Sequence, residues 1–135
     1  MNLTVTRFLR NALLIDFIGS GATTLLLMFG SHVLAPLLGL PADFLFWIGV
    51  NMVPFLALLL VAARREVLAK GVLVAIIGIN AAWVLASALL LVSGVFAPTL
   101  LGYGFVIAQA VAVALFAGVQ YGALRRTAAI AKPAI

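Results

Sequence analysis

The sequence predicts an all-α fold, a bundle of four transmembrane helices that makes up one domain of residues 1–135. Of these residues, 67% are hydrophobic and 8% are charged, whereas roughly a quarter of the residues in a soluble domain carry a charge. The apolar residues also fall into four runs of about 20 residues or more, which is enough for a helix to cross a bilayer. The runs cover residues 9–34, 43–63, 71–92 and 99–124.

We expect the four runs to be helices because a backbone in lipid must satisfy its hydrogen bonds within the chain. None of the runs has the alternation of polar and apolar residues that marks a membrane strand. Helix-breaking residues separate them: Pro36, Gly39 and Pro41 follow the first run, and Gly94 and Pro98 follow the third. These residues predict where the first and third helices end.

Basic residues mark one side of the predicted bundle. They lie near both termini and in the connection between the second and third runs, and the other two connections have none. They are Arg7, Arg10, Arg64, Arg65, Lys70, Arg125, Arg126 and Lys132. Loops rich in lysine and arginine stay in the cytoplasm, so both termini are predicted to be cytoplasmic. Because these residues flank apolar runs instead of lining one face, the net charge of +5 predicts no nucleic-acid partner.

The two halves of the chain resemble each other. Residues 31–39 and 93–102 both place a serine, an Ala-Pro pair and a glycine between apolar residues, and an arginine pair follows each segment at a similar distance. One interpretation is a tandem repeat of two helical hairpins, which would place a site at the interface of the repeats. The alternative is that any two hairpins with the same orientation have helix breakers outside and arginines inside.

Asp16 is the only acidic residue within the four runs. An ionisable group in hydrocarbon costs at least a few kcal/mol, so it normally has a partner or a function. Ser20 and Thr23 follow at helical spacing and extend the same face. The carboxyl group could be neutral through desolvation, paired with Arg10, or a proton or cation site.

Each of the other three runs has one amide side chain near its middle. These are Asn51, Asn80 and Gln109, and on the third run Trp83 and Ser87 extend the face of Asn80. Together with Asp16 they predict a polar belt near the centre of the bilayer. The belt either binds a ligand or supplies hydrogen bonds between helices, each worth about 0.5–2 kcal/mol in membranes.

Small residues form a ridge along the fourth run. Ala110, Ala114, Gly118 and Gly122 recur every fourth position. Small residues let helix backbones approach closely. The ridge predicts close helix packing, either inside the bundle or at the seam of a homo-oligomer.

The sequence has no motif that indicates an enzyme. It has no glycine-rich phosphate loop, no paired carboxylates and no cluster of metal ligands, so we expect no catalytic residue, metal or cofactor. The chain has no cysteine, which excludes disulfides and thiol chemistry. Its single histidine, His32, has too few neighbouring ligand residues to predict a metal or haem site.

Three segments resemble those of a widespread type of small four-span bacterial membrane protein that has no assigned activity. They are residues 34–41 (LAPLLGLP), residues 80–87 (NAAWVLAS), and residues 98–102 (PTLLG) leading to Gln109 and Ala110. The resemblance covers most of the chain. It implies a multi-pass protein of the bacterial cytoplasmic (inner) membrane, and it implies no activity, cofactor or site residue.

Two classes of function fit these observations. In the first, the polar belt binds a small molecule or ion, and a homodimer would transport it. In the second, the protein is a structural or auxiliary subunit, with the small-residue ridge packed on a partner membrane protein. Membrane lipid surrounds the bundle in both.

Overall fold

The computed structural model describes residues 2–131, with side chains described as far as Thr127. Within this range it contains four long α-helices: α1 (Arg7–Leu38), α2 (Ala42–Arg64), α3 (Lys70–Ser93) and α4 (Leu100–Ala131). Each helix is long enough and apolar enough to cross a membrane. The prediction of an all-α fold with four apolar helices is therefore confirmed.

The first helix is longer at both ends than the sequence predicts. The Thr6 side chain caps its N-terminus by accepting a 3.2 Å hydrogen bond from the Leu9 amide. At the other end, α1 continues through Pro36 and stops at Gly39, which has a φ of 70° and donates to Ala35 O at 2.9 Å. This left-handed conformation suits glycine because it has no Cβ. Gly39, one of the predicted helix breakers, therefore ends the helix, and Pro36 lies inside it, beyond the predicted end at residue 34.

A short β-ribbon closes the end of the bundle that carries the N-terminus. Strand β1 (Asn2–Thr4) pairs antiparallel with strand β2 (Val67–Ala69), which lies between α2 and α3, and Leu3 is opposite Leu68. Both leucines are buried. The ribbon is absent from the expectations above because each strand has only three residues and its partner is far away along the sequence.

The helices alternate in direction and pack unequally. Helix α1 packs closely against α2 and α4, and α3 packs against α4, but α2 and α3 make few contacts. The bundle is therefore open along the side between α2 and α3. The alternating direction brings Phe8 beside Arg126, whose guanidinium carbon is 4.8 Å from the ring centroid. We call this the basic end; Lys132, predicted to belong to it, lies outside the described residues.

Two apolar clusters hold the helices together at different heights. The larger cluster lies at the basic end and includes the ribbon: Leu3, Val5, Leu9, Leu13, Leu59, Ala62, Ala63, Leu68, Leu73, Ile76, Ala123 and Leu124. The smaller cluster lies at the opposite end: Leu27, Leu38, Leu40, Leu45 and Val106. Polar side chains lie between them, and two cavities reach from this level into the smaller cluster.

The ends of α1 and α4 join directly at the opposite end. The Thr99 amide donates to Leu38 O at 3.0 Å, and the Thr99 hydroxyl donates to Leu37 O at 2.6 Å. These bonds satisfy carbonyl groups that the end of α1 leaves without helical partners. Gly102 packs against the Leu38 carbonyl so closely that a Cβ atom would overlap it.

Candidate functional site

Asp16 lies in the middle of the bundle and is fully buried. Its Oδ1 atom accepts a 2.8 Å hydrogen bond from the Ser20 hydroxyl one turn later on α1. Its Oδ2 atom accepts bonds from Asn80 Nδ2 on α3 at 2.7 Å and from Gln120 Nε2 on α4 at 2.6 Å. Each of these donors is a neutral group, and together they join three helices.

The two amides that bind Asp16 also bind each other, because Asn80 Nδ2 donates to Gln120 Oε1 at 3.0 Å. We call Asp16, Ser20, Asn80 and Gln120 the Asp16 layer. A buried network is favourable when its polar atoms are paired. The interpretation in which Arg10 pairs with Asp16 was wrong, since the Arg10 guanidinium donates instead to two backbone carbonyls at the end of α2. These are Ala63 O at 2.9 Å and Arg65 O at 3.2 Å.

A second polar cluster joins α3 and α4 nearer the opposite end. The Trp83 indole N–H donates to Gln109 Oε1, and Gln109 Nε2 donates to Ser87 Oγ at 3.0 Å and to Val106 O at 2.9 Å. The Ser87 hydroxyl donates to Trp83 O at 2.8 Å. We call Trp83, Ser87 and Gln109 the Gln109 layer.

The structure thus divides the predicted belt into two layers. Asp16 and Asn80 meet, but their partner on α4 is Gln120, which the sequence analysis missed, and not Gln109. One signal could have identified Gln120: it lies about three helical turns after Gln109 and so returns to the same face of α4. Asn51 joins neither layer, since it is exposed and donates to Trp47 O in its own helix at 2.8 Å.

A cavity of about 320 Å³ lies between the two layers, and we call it the inner cavity. The polar residues that line it are Ser20, Thr23, Asn51, Asn80, Trp83 and Gln109. Apolar side chains, among them Phe55 and Phe116, complete the wall. Six of the eight predicted ligand-binding residues therefore line this cavity, and the other two are Asp16 and Ser87. Asp16 lies behind Ser20 and Asn80, and Ser87 lies beyond Gln109.

A larger cavity of about 450 Å³, the outer cavity, continues towards the opposite end. It shares Thr23, Trp83 and Gln109 with the inner cavity, so these three residues lie at the junction. Most of the remaining wall is apolar and includes Leu27 and Phe105. The two cavities thus adjoin at the Gln109 layer; apolar side chains make up most of both walls, and the inner cavity has more amide groups.

Both cavities open sideways between α2 and α3. Ile79, which lines the inner cavity, is 44% exposed, and Leu89, which lines the outer cavity, is 55% exposed. Few contacts close the gap between these helices. A molecule could therefore reach the cavities from the side of the bundle without passing either end.

The small-residue ridge on α4 is only partly covered by the bundle, since Ala110 and Ala114 line a shallow groove beside Ala88 of α3. Ala114 and Gly118 are exposed, and Ala110 and Gly122 are half-buried. A Cβ atom built on Gly118 or Gly122 would meet nothing within 4 Å. Ala110 and Ala114 thus face α3, whereas Gly118 and Gly122 leave an open surface, and a seam with another chain stays a prediction.

Titratable side chains do not gather into a metal site in the described part of the chain, where no group of three or more His, Cys, Asp or Glu residues could hold an ion. His32 is exposed.

The structure thus defines a small helical bundle with two joined cavities. No known protein family, curated protein or solved structure is significantly similar to the chain. The resemblance to small four-span bacterial proteins stays a prediction.

Proposed function

We propose that this protein is an integral membrane protein of the bacterial cytoplasmic membrane and that it binds a small molecule in the inner cavity. The supporting observation is that polar groups from four helices converge on a cavity at mid-height in a bundle whose helices have membrane-spanning dimensions. Ligand cavities are typically lined by apolar side chains with a few fixed polar groups, and they occur between the helices of bundles.

Membrane insertion follows from the cost of exposing this surface to water. Large apolar side chains are exposed along every helix, for example Ile18, Leu85 and Leu115 at 67%, 62% and 64%. A soluble monomer rarely exposes such continuous apolar surface. The arginines of the basic end favour the orientation with both termini in the cytoplasm.

The Asp16 layer supports the cavity from behind. Asp16 holds Asn80 through Nδ2, while Asn80 Oδ1 accepts no hydrogen bond from the described residues. Asn80 also lines the inner cavity. A ligand with a hydrogen-bond donor would therefore bind Asn80 Oδ1, and Asp16 would act by fixing the orientation of that amide.

Binding fits the geometry better than transport does. The apolar cluster at the basic end, which includes Leu9, Leu13 and Ile76, is closed and fully buried below the Asp16 layer. A route across the membrane would have to pass through this cluster. The cavities reach only from the Asp16 layer to the opposite end, so we propose a binding protein whose ligand enters and leaves on one side.

Native mass spectrometry of the protein released from nanodiscs tests the proposal. We expect a co-purified molecule of defined mass on the wild type. Ile79→Trp, which places a larger side chain in the inner cavity, should abolish the adduct. Val74→Trp is the matched control because Val74 is 47% exposed on the same helix but does not line the cavity. Identical spectra for the three proteins would contradict the proposal.

The open surface at Gly118 on the α4 ridge favours a second candidate function, an auxiliary subunit that packs on another membrane helix. Gly118 is exposed and open, as a close helix–helix contact requires. A benzophenone maleimide attached to a cysteine at Gly118 should give one defined photocrosslinked product, with the mass of a partner or, for a homodimer, of a second copy. Cysteine at Phe29, which is 81% exposed on α1, is the control. Equal crosslinking at both positions would contradict a specific seam.

A further inference from the structure

The two cavities together indicate the chemical class of the ligand, an inference that rests on the proposed function. We propose that the ligand is a neutral amphiphile, with a compact hydrogen-bonding headgroup in the inner cavity and an apolar tail in the outer cavity, entering between α2 and α3.

The continuity of the cavities indicates one extended ligand. Thr23, Trp83 and Gln109 line both cavities, so the two cavities adjoin at this junction and one ligand of sufficient length would occupy both. The Trp83 indole and the Gln109 amide bond each other across it. A ligand whose tail passes this pair would have the last polar atoms of its headgroup beside the Trp83 and Gln109 side chains.

The distribution of polar groups assigns the two ends of that ligand. The inner cavity has three amide side chains, Asn51, Asn80 and Gln109. Beyond the junction, Ser87 and Ser93 line the outer cavity but donate to carbonyls of their own helix, and the other lining side chains are apolar. A polar headgroup in the outer cavity would find fewer groups to replace its hydrogen bonds to water, and an apolar tail there would gain by leaving water.

The absence of charge along both cavities indicates a neutral headgroup. No Lys, Arg, His, Asp or Glu lines either cavity in the described part of the chain. Asp16 is fully buried behind Ser20 and Asn80, and both of its oxygen atoms already accept hydrogen bonds. An ionised headgroup would thus be buried with no counter-charge in contact with it, which is unfavourable.

The side opening provides the entry route for such a molecule. Asn51 and Ile79 stand on the two sides of the gap, on α2 and α3, and both are exposed. A neutral amphiphile is already concentrated in the bilayer, with its tail parallel to the helices. It could slide between α2 and α3 without crossing a layer of packed side chains.

Tryptophan fluorescence tests the inference because the chain has two tryptophans. In Trp47→Phe, Trp83 at the junction is the sole reporter. In nanodiscs we expect quenching by dibromostearamide to saturate and to be reversed by unbrominated stearamide. The permanently charged analogues dibromostearyl sulfate and dibromostearyl trimethylammonium should bind at least about tenfold more weakly, a difference of about 1.4 kcal/mol.

Two further probes separate the inference from the proposed function. The tail-free probe bromobenzamide should compete, but about tenfold more weakly than dibromostearamide, since it leaves the outer cavity empty. If the tail-free or the charged probes bind as tightly as dibromostearamide, the inference of a neutral amphiphile is overturned, but the proposed binding site is not. The inference would also be overturned if brominated phosphatidylcholine gave the same saturable quenching as dibromostearamide, because the outer cavity would then hold the tail of a bulk lipid. No saturation with any probe would overturn the proposed function itself.

A pair of alanine variants tests the position of the tail. Ala86 lines the outer cavity, and Ala82 lies one turn earlier on α3 and lines neither cavity. In the Trp47→Phe background, Ala86→Phe should weaken dibromostearamide binding about tenfold and leave bromobenzamide binding unchanged. Ala82→Phe should change neither. An equal effect of Ala86→Phe on both probes, or none on either, would contradict a tail in the outer cavity.

Discussion

Asn80 on α3 donates a 2.7 Å hydrogen bond to the Oδ2 atom of Asp16 on α1, at the middle of the bundle. The same oxygen accepts a bond from Gln120 on α4. These bonds link the two helical hairpins, and Asn80 is also a wall of the inner cavity. The stability of the bundle and the shape of its proposed binding site therefore depend on the same contact.

Replacing Asp16 should reveal this structural role. Asp16→Leu removes the acceptor of three donors and leaves buried amides unpaired, so we expect a loss of about 1–3 kcal/mol in the free energy of unfolding. Asp16→Asn keeps one oxygen to accept from Asn80 and Gln120, and its amide can donate to Ser20. We expect it to lose less than about 1 kcal/mol. Thermal unfolding in mild detergent measures both, and a leucine variant as stable as the asparagine variant would contradict the network.

Gly102 should tolerate no side chain. A Cβ atom there would overlap the Leu38 carbonyl, where α4 meets the end of α1. We expect Gly102→Ala to destabilise the bundle by about 1–3 kcal/mol, as overpacking typically does. Gly104→Ala is the control because its Cβ would meet nothing within 4 Å. If thermal unfolding shows the same stability for the two variants, the α1–α4 junction is not as described.

The β-ribbon should contribute to stability although it has only two short strands. Leu3 is fully buried in the apolar cluster of the basic end. Leu3→Ala should therefore lower the free energy of unfolding by about 2–3 kcal/mol. Val67, in the paired strand, is 50% exposed, so Val67→Ala should cost less than about 1 kcal/mol. Similar unfolding temperatures for these variants would mean that the ribbon does not pack on the helices.

The orientation in the membrane can be measured with single cysteines, since the chain has none of its own. Val95, between α3 and α4, is 71% exposed at the opposite end, and Val67 lies at the basic end. On intact bacterial cells, a membrane-impermeant maleimide should label Val95→Cys. It should label Val67→Cys only after the cells are opened, because basic loops stay in the cytoplasm. The reverse labelling pattern would contradict the proposed topology.

The helices could be predicted from the sequence because a membrane span requires a long apolar run, and four such runs are present. The β-ribbon could not, because hydrophobic periodicity needs more residues than a three-residue strand provides. The end of α1 was misplaced for a different reason. Pro36 removes a single helical hydrogen bond. Because Pro36 lies in the last turn of α1, the helix continues past it and ends only at Gly39.

The members of the site were easier to predict than their pairing. The cost of burying a carboxyl group in an apolar helix identified Asp16, and the scarcity of amides identified Asn80 and Gln109. Which amide on α4 meets Asp16 depends on the axial offset and crossing of α4, and a single sequence does not contain that information. Gln120 was overlooked because it is close to Arg125, where a polar residue normally lies at the membrane surface.

A crystal structure grown in a lipidic mesophase would test the central claim most directly, since it would show both the Asp16 layer and the contents of the cavities. We predict that Asn80 and Gln120 bind Asp16 and that non-protein density occupies the inner cavity, in contact with Asn80 and extending past Trp83. A bundle in which α2 and α3 close together, with Trp83 filling the space between the layers and no cavity left, would contradict the proposed binding function.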